Sequence, residues 1–190
     1  MSGRTELDIL AETLRINGLE VTEEAIAELA RSLIDGYEAA RIELANRGLA
    51  LPGAREMLAL LAEDERLYQS VLTGNLKDVA RIKLEVFELA PYLDLEAGAY
   101  GQDHHDRAML VRQAQERAEA IRGEVFANDR TVLIGDTPND IQAGLVAGVR
   151  VIGVASGKSS GNDLRSAGAK DVVVDLTESS RLRELFSGMS

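Results

Sequence analysis

The sequence predicts an α/β protein: a parallel sheet with helices on both faces, preceded by a purely helical stretch. Three observations predict it. From residue 67 onward, apolar strand-like runs alternate with helical patterns. Residues 5–65 carry helical periodicity alone. Finally, the turns richest in reactive side chains, Thr73-Gly74-Asn75 and Gly135-Asp136, directly follow apolar runs. Open parallel sheets place function at those carboxyl ends. The expected division is a helical domain over 1–66 and an α/β core over 67–190.

In the helical part, Leu7, Ile9, Leu10 and Leu14 recur at helical spacing. Ile26, Leu29, Leu33, Tyr37 and Ala40 form a second stripe, opened by Thr22 as N-cap with Glu23 and Glu24 in the first turn. Pro52 suits a helix start, and Met57, Leu58, Leu60 and Leu61 follow it. YQSVLTGN then reads as a short strand ending in a polar turn. LKDVARIKLEVFEL is a helix with Val79, Ile82, Val86 and Leu89 on one side. DLEAGAYG is a second strand, and residues 107–122 form a helix aligning Leu110, Ala114, Ala118 and Ile121. TVLIGD is the strongest strand, NDIQAGLVAG a short helix and RVIGVAS another strand. DLRSAGA, DVVVD and RLRELF complete the chain as helical turn, strand and helix. Such near-continuous apolar strands belong to a sheet buried on both faces.

Charge narrows the function classes. The 190 residues hold 32 acidic and 21 basic side chains, a net charge of −11. That surface repels a phosphate backbone, so a nucleic-acid partner is not expected. The acidic excess is densest in the helical part, where it reads as a solvated surface. No apolar run approaches the length of a membrane span, and MSGRTELDIL lacks the basic-then-apolar pattern of a secretory leader. A cytoplasmic location is the default expectation. The absence of cysteine excludes disulfides and thiolate metal sites.

Four segments could carry chemistry. In Thr73-Gly74-Asn75 a hydroxyl and an amide precede a helix start, which suits an anion. The alternative is a simple N-cap at Asn75. In Gly135-Asp136-Thr137-Pro138-Asn139-Asp140, two carboxylates flank a turn at a strand's end. Asp136 and Asp140 suit a hard cation, Mg²⁺ above all, completed by water, substrate phosphate and another oxygen; the alternative is an N-capped turn with no metal. Asp103-His104-His105-Asp106 gathers both histidines in one loop, but adjacent residues converge poorly on one ion. A surface loop with Asp106 capping the next helix is expected there. GVASGKS, residues 153–159, is one residue too short for a P-loop, and Lys158 reads as solvent-exposed.

The order apolar strand–Thr-Gly-Asn, basic helix, apolar strand–Gly-Asp-x-x-x-Asp resembles the haloacid dehalogenase (HAD) superfamily, in particular its phosphoglycolate-phosphatase-like hydrolases. LTGNLKDVARIKLE, GAYGQDHHDR and VLIGDTPNDIQAGLVAGVRVIGVASG carry the likeness over residues 67–177. SGRTELDIL and the helices after it look like the family's helical cap. The resemblance implies Mg²⁺-dependent hydrolysis of a small phosphorylated metabolite through an aspartyl-phosphate. Thr73 matches the second family motif, with Gly74 and Asn75 beside it as phosphate-binding residues. Asp136 and Asp140 match the fourth, the metal motif. For the basic residue of the third motif, Arg107 is the first candidate and Lys83 the second; each could instead be a surface charge.

One departure matters. The family's first motif, a strand followed by Asp-x-Asp, supplies the attacking carboxylate and the general acid-base. The sequence contains no Asp-x-Asp. The nearest imitation, Asp175-Leu176-Thr177, lacks the second acid and reads as structural. In the family that strand lies between the strands ending at Thr73 and Asp136. The expectation is therefore a sheet without its central strand, two unpaired edges prone to self-association, and a chain nearly inactive by itself. Met1 is read as an internal methionine of a longer hydrolase. The alternative is a non-catalytic HAD-like protein that binds phosphate, metal or a partner.

Overall fold

The computed structural model describes residues 5–157 and 159–187. Lys158 and the start of the chain, residues 1–4, lie outside the described residues. Four helices come first. Thr5 caps α1 (Glu6–Ile16) by accepting the Asp8 N–H, and Thr22 caps α2 (Glu23–Ala39) by accepting that of Ala25. Each satisfies an amide that the first helical turn leaves without a partner. α3 (Arg41–Arg47) and α4 (Ala54–Ala62) follow.

Strand and helix then alternate: β1 (Ser70–Leu72), α5 (Lys77–Val86), β2 (Asp94–Ala99), α6 (Arg107–Arg122), β3 (Val132–Gly135), α7 (Pro138–Ala147), β4 (Arg150–Val154), α8 (Gly161–Ser166), β5 (Asp171–Val173) and α9 (Ser179–Ser187). Every ladder is parallel. β1 pairs with β2, and β3, β4 and β5 form a second sheet in that order. Among the described residues no ladder joins β1 to β3. The break falls where the sequence lacks a strand. It shows in burial too: β1 and β3 are part-exposed along their whole length, whereas Val151–Val154 of β4 are buried.

Helices hold the halves together. α6 packs on β1 and β2 and runs along α7, which packs on β3 and β4. Side chains of β4 alternate between two clusters, as a strand covered on both faces requires. Ile152 and Val154 meet Met57, Leu61, Val173, Leu182 and Leu185, while Val151 meets Ile141, Leu164 and Ala169. A third cluster joins Leu10 of α1 and Leu29, Leu33 and Tyr37 of α2 to Leu76 and Val79 of the α5 region.

Not all of the stretch before residue 67 packs alike. Met57 and Leu61 place α4 in the sheet's core, whereas α1 and α2 pack on the α5 region. Among the described residues no helix is long and apolar enough to cross a membrane.

Candidate active site

The loop after β1 is held from beneath by β2. Thr73 donates its N–H to Ala99 O (3.0 Å), and Gly101 donates to Asn75 O (2.9 Å). Gly101 allows this approach, because a Cβ there would overlap the Gly74 carbonyl. Within the loop, Thr73 Oγ1 accepts from the Asn75 N–H (3.1 Å) and from Asn75 Nδ2 (2.6 Å). Lys83 Nζ donates to Asn75 Oδ1 (2.7 Å). Asn75 is therefore no simple N-cap. The N-cap of α5 is Leu76, with no capping hydrogen bond from its own side chain. Glu6 Oε2 instead accepts the Leu76 N–H (2.5 Å), and Gln102 Oε1 accepts that of Lys77 (2.8 Å). The Glu6 N–H in turn donates to Gly74 O (2.7 Å), seating α1 directly on the loop. Burial pushes the Glu6 carboxyl above its ordinary range, against the opposing pull of the Leu76 N–H and Lys83.

At the end of β3, Thr137 and Asp140 form a capping box. Thr137 Oγ1 accepts the Asp140 N–H (3.3 Å), and Asp140 Oδ2 accepts from the Thr137 N–H (3.2 Å) and hydroxyl (2.6 Å). The other carboxylate oxygen, Oδ1, pairs with Arg107 Nη2 at 2.9 Å, with the two side chains only 16% and 12% exposed. Both oxygens of Asp140 are thus engaged. Arg107 Nε is buried without a hydrogen-bond partner among the described residues, as is Ser156 Oγ just past β4. Asp136 follows β3 directly, and the loop after β4 closes over it: a Cβ on Gly157 would overlap the Asp136 carboxylate.

The haloacid dehalogenase-like hydrolase family model matches residues 2–144. The chain belongs to that family. No protein of curated function shows significant sequence similarity to it. A hydrolase from Pseudomonas syringae is 25% identical in a superposition covering 98% of this chain and 80% of that one, with a TM-score of 0.68. A predicted phosphatase from Clostridium acetobutylicum is 22% identical, covering 94% and 89%, at 0.60. A predicted phosphoglycolate phosphatase from Haemophilus somnus 129pt is 18% identical, covering 93% and 73%, at 0.63. The last two likenesses are of fold.

Against the HAD pattern, Thr73, Gly74, Asn75 and Lys83 come together in one network, and Arg107 and Asp140 in another. Of the two candidates for the basic residue, Arg107 reaches the acidic turn through Asp140, while Lys83 donates to Asn75. Asp140 is a partner of Arg107 rather than a vacant ligand, because a cation would displace it from Arg107 or Thr137. Mg²⁺ commonly takes one or two carboxylates plus water and phosphate oxygens. Asp136, directly after β3, carries the hard oxygen donors that such a set draws on. Among the described residues no three acidic or histidine side chains form a cage.

The side chains of the histidine loop diverge. Asp103 pairs with Arg117, His104 Nδ1 accepts the Asp106 N–H, His105 Nδ1 meets Asp8 Oδ1 at 2.9 Å, and Asp106 caps α6 through the Ala108 N–H. Asp175 accepts from the N–H and hydroxyl of Thr177, two residues on. The sequence reading missed Glu6, Gln102 and Ser156. Glu6 and Gln102 meet partners distant in sequence, Leu76 and Lys77, while the Ser156 hydroxyl is buried without a partner among the described residues; none stands in a recognisable spacing.

Proposed function

We propose that the site receives the phosphoryl group of a small phosphomonoester, and that the fold serves Mg²⁺-dependent phosphomonoester hydrolysis. The observation that carries this reading is Arg107. Its guanidinium is anchored at one end by Asp140, while its buried Nε–H has no partner among the described residues. An unsatisfied buried donor on a cation costs about 1–3 kcal/mol or more, and an oxyanion would remove that cost. Thr73 would donate its hydroxyl to a second phosphate oxygen. Asp136 would hold the magnesium ion, whose charge offsets that of the phosphate. Two solved neighbours, a predicted phosphatase and a predicted phosphoglycolate phosphatase, support this chemistry.

What these residues lack is an attacking group. No Asp-x-Asp occurs in the sequence, and positioning groups do not replace a nucleophile. This chain is therefore expected to bind and not to turn over. That gap favours a second reading, a phosphate-ester-binding protein without chemistry. An ester affinity tighter than the roughly 1 μM–1 mM span of enzyme KM values would support it.

Calorimetry with inorganic phosphate and Mg²⁺ tests the site. Saturable binding is expected, weakened about tenfold or more in Arg107→Met and in Thr73→Val, since each removes at least one hydrogen bond to an anion. No binding by the wild type, or equal binding by Arg107→Met, would refute the reading.

A further inference from the structure

Lys83 touches no part of the acidic turn described above, yet three elements grip it. Its ammonium donates to Asn75 Oδ1 (2.7 Å), lies over the Tyr37 ring of α2 (4.7 Å to the centroid) and stands 4.0 Å from Glu6 Oε1 of α1. An ammonium has donors and no acceptor, so it takes only the oxygen of the Asn75 amide. That choice turns Nδ2 to the other side, where it meets Thr73 Oγ1 at 2.6 Å. The Asn75 backbone N–H supplies a second donor to the same oxygen. A hydroxyl has two acceptor lone pairs and one proton. With both lone pairs taken, Thr73 has only its proton left to offer. It has become an obligate donor, matched to a ligand whose oxygens only accept.

We propose that Lys83 is a positioning residue that sets the Asn75 amide, and through it the donor state of Thr73, and that Tyr37 and Glu6 make this setting depend on how the helical part sits. The relay runs Tyr37 and Glu6 to Lys83, then Asn75, then Thr73. Its value to function rests on the reading that Thr73 receives a phosphate oxygen. A helical part that lifts away would leave the Asn75 amide free to rotate and Thr73 free to accept instead of donate.

The test follows the Asn75 side-chain amide by ¹⁵N NMR hydrogen exchange, alongside titration with inorganic phosphate. In Lys83→Met, which keeps the aliphatic stem, exchange at Asn75 Nδ2 should rise about tenfold and phosphate affinity fall about tenfold, each the weight of one charge-assisted hydrogen bond. Lys83→Arg, also a pure donor, should restore protection. Tyr37→Leu should move Asn75 in the same direction by a smaller factor. Thermal unfolding shows whether each variant is folded, and Lys83→Arg serves if Lys83→Met is not. Unchanged Asn75 exchange in folded Lys83→Met, or loss of protection in folded Lys83→Arg, overturns the relay. An unmoved Asn75 in Tyr37→Leu overturns the coupling to the helices. Should the wild type bind no phosphate while Asn75 responds as described, the relay stands and the phosphate reading falls.

Discussion

Asp103 controls the turn that delivers Arg107. Its carboxylate takes two parallel bonds from Arg117 (2.7 and 2.8 Å) and one from the Tyr100 N–H (2.8 Å), while Arg117 also donates to Gly98 O. Burial pushes the Asp103 carboxyl up, but the Arg117 and Tyr100 donors outweigh it and hold it below its ordinary 3.8. A carboxyl lowered in the folded state adds stability above the unfolded value, and that stability is lost as pH falls through the folded one. The stability gap between wild type and Asp103→Asn should therefore narrow as pH drops from about 5 to about 2 in urea titrations. A constant gap would show that the pairing is not what lowers the group. Single residues were legible in the sequence where a motif is local. Thr73 and Asp136 stand directly after strands, and Asp106 directly before a helix. Asp140 was legible as an acid of the turn but not as the partner of Arg107. That pairing depends on how α6 packs along α7, which no local spacing encodes.

Elements were legible wherever their ends carry their own chemistry. The helix expected over 107–122 is α6 itself, fixed by the Asp106 cap and by Gly123 in the left-handed conformation (φ 72°). α5 is shorter than its apolar pattern, ending at Val86, and its start is closed by Glu6 and Gln102 instead of by a local cap. Within YQSVLTGN, read as a short strand ending in a polar turn, the strand is Ser70–Leu72, paired with β2. α4 shows where periodicity stops informing. Its apolar stripe predicts a buried face but not which neighbour buries it, and the answer is the sheet core. Met57 is 2% exposed in that core. Met57→Ala should cost about 3 kcal/mol in urea unfolding, through lost transfer energy and a residual cavity. A cost under about 1 kcal/mol would mean that α4 belongs with the loosely packed helices instead.

At the scale of the molecule, the departure from the HAD pattern and the break in the sheet are one fact seen twice. The sequence lacks a strand with Asp-x-Asp, and the structure parts into β1–β2 and β3–β4–β5. The fold class was legible because strand-helix alternation survives that loss. The way the halves stay joined was not, because it relies on α6 lying across β1, β2 and α7. The same loss separates binding from chemistry. On the proposed reading, Arg107, Thr73 and Asp136 would hold a phosphoryl group and its cation, with no Asp-x-Asp in the sequence to attack phosphorus. Hydrolysis of p-nitrophenyl phosphate by the purified chain in Mg²⁺ tests this most directly. No turnover above the buffer rate is predicted, at protein concentrations that bind inorganic phosphate. Mg²⁺-dependent turnover that disappears in Asp136→Ala would contradict it, and would mean that another side chain of these 190 residues supplies the nucleophile.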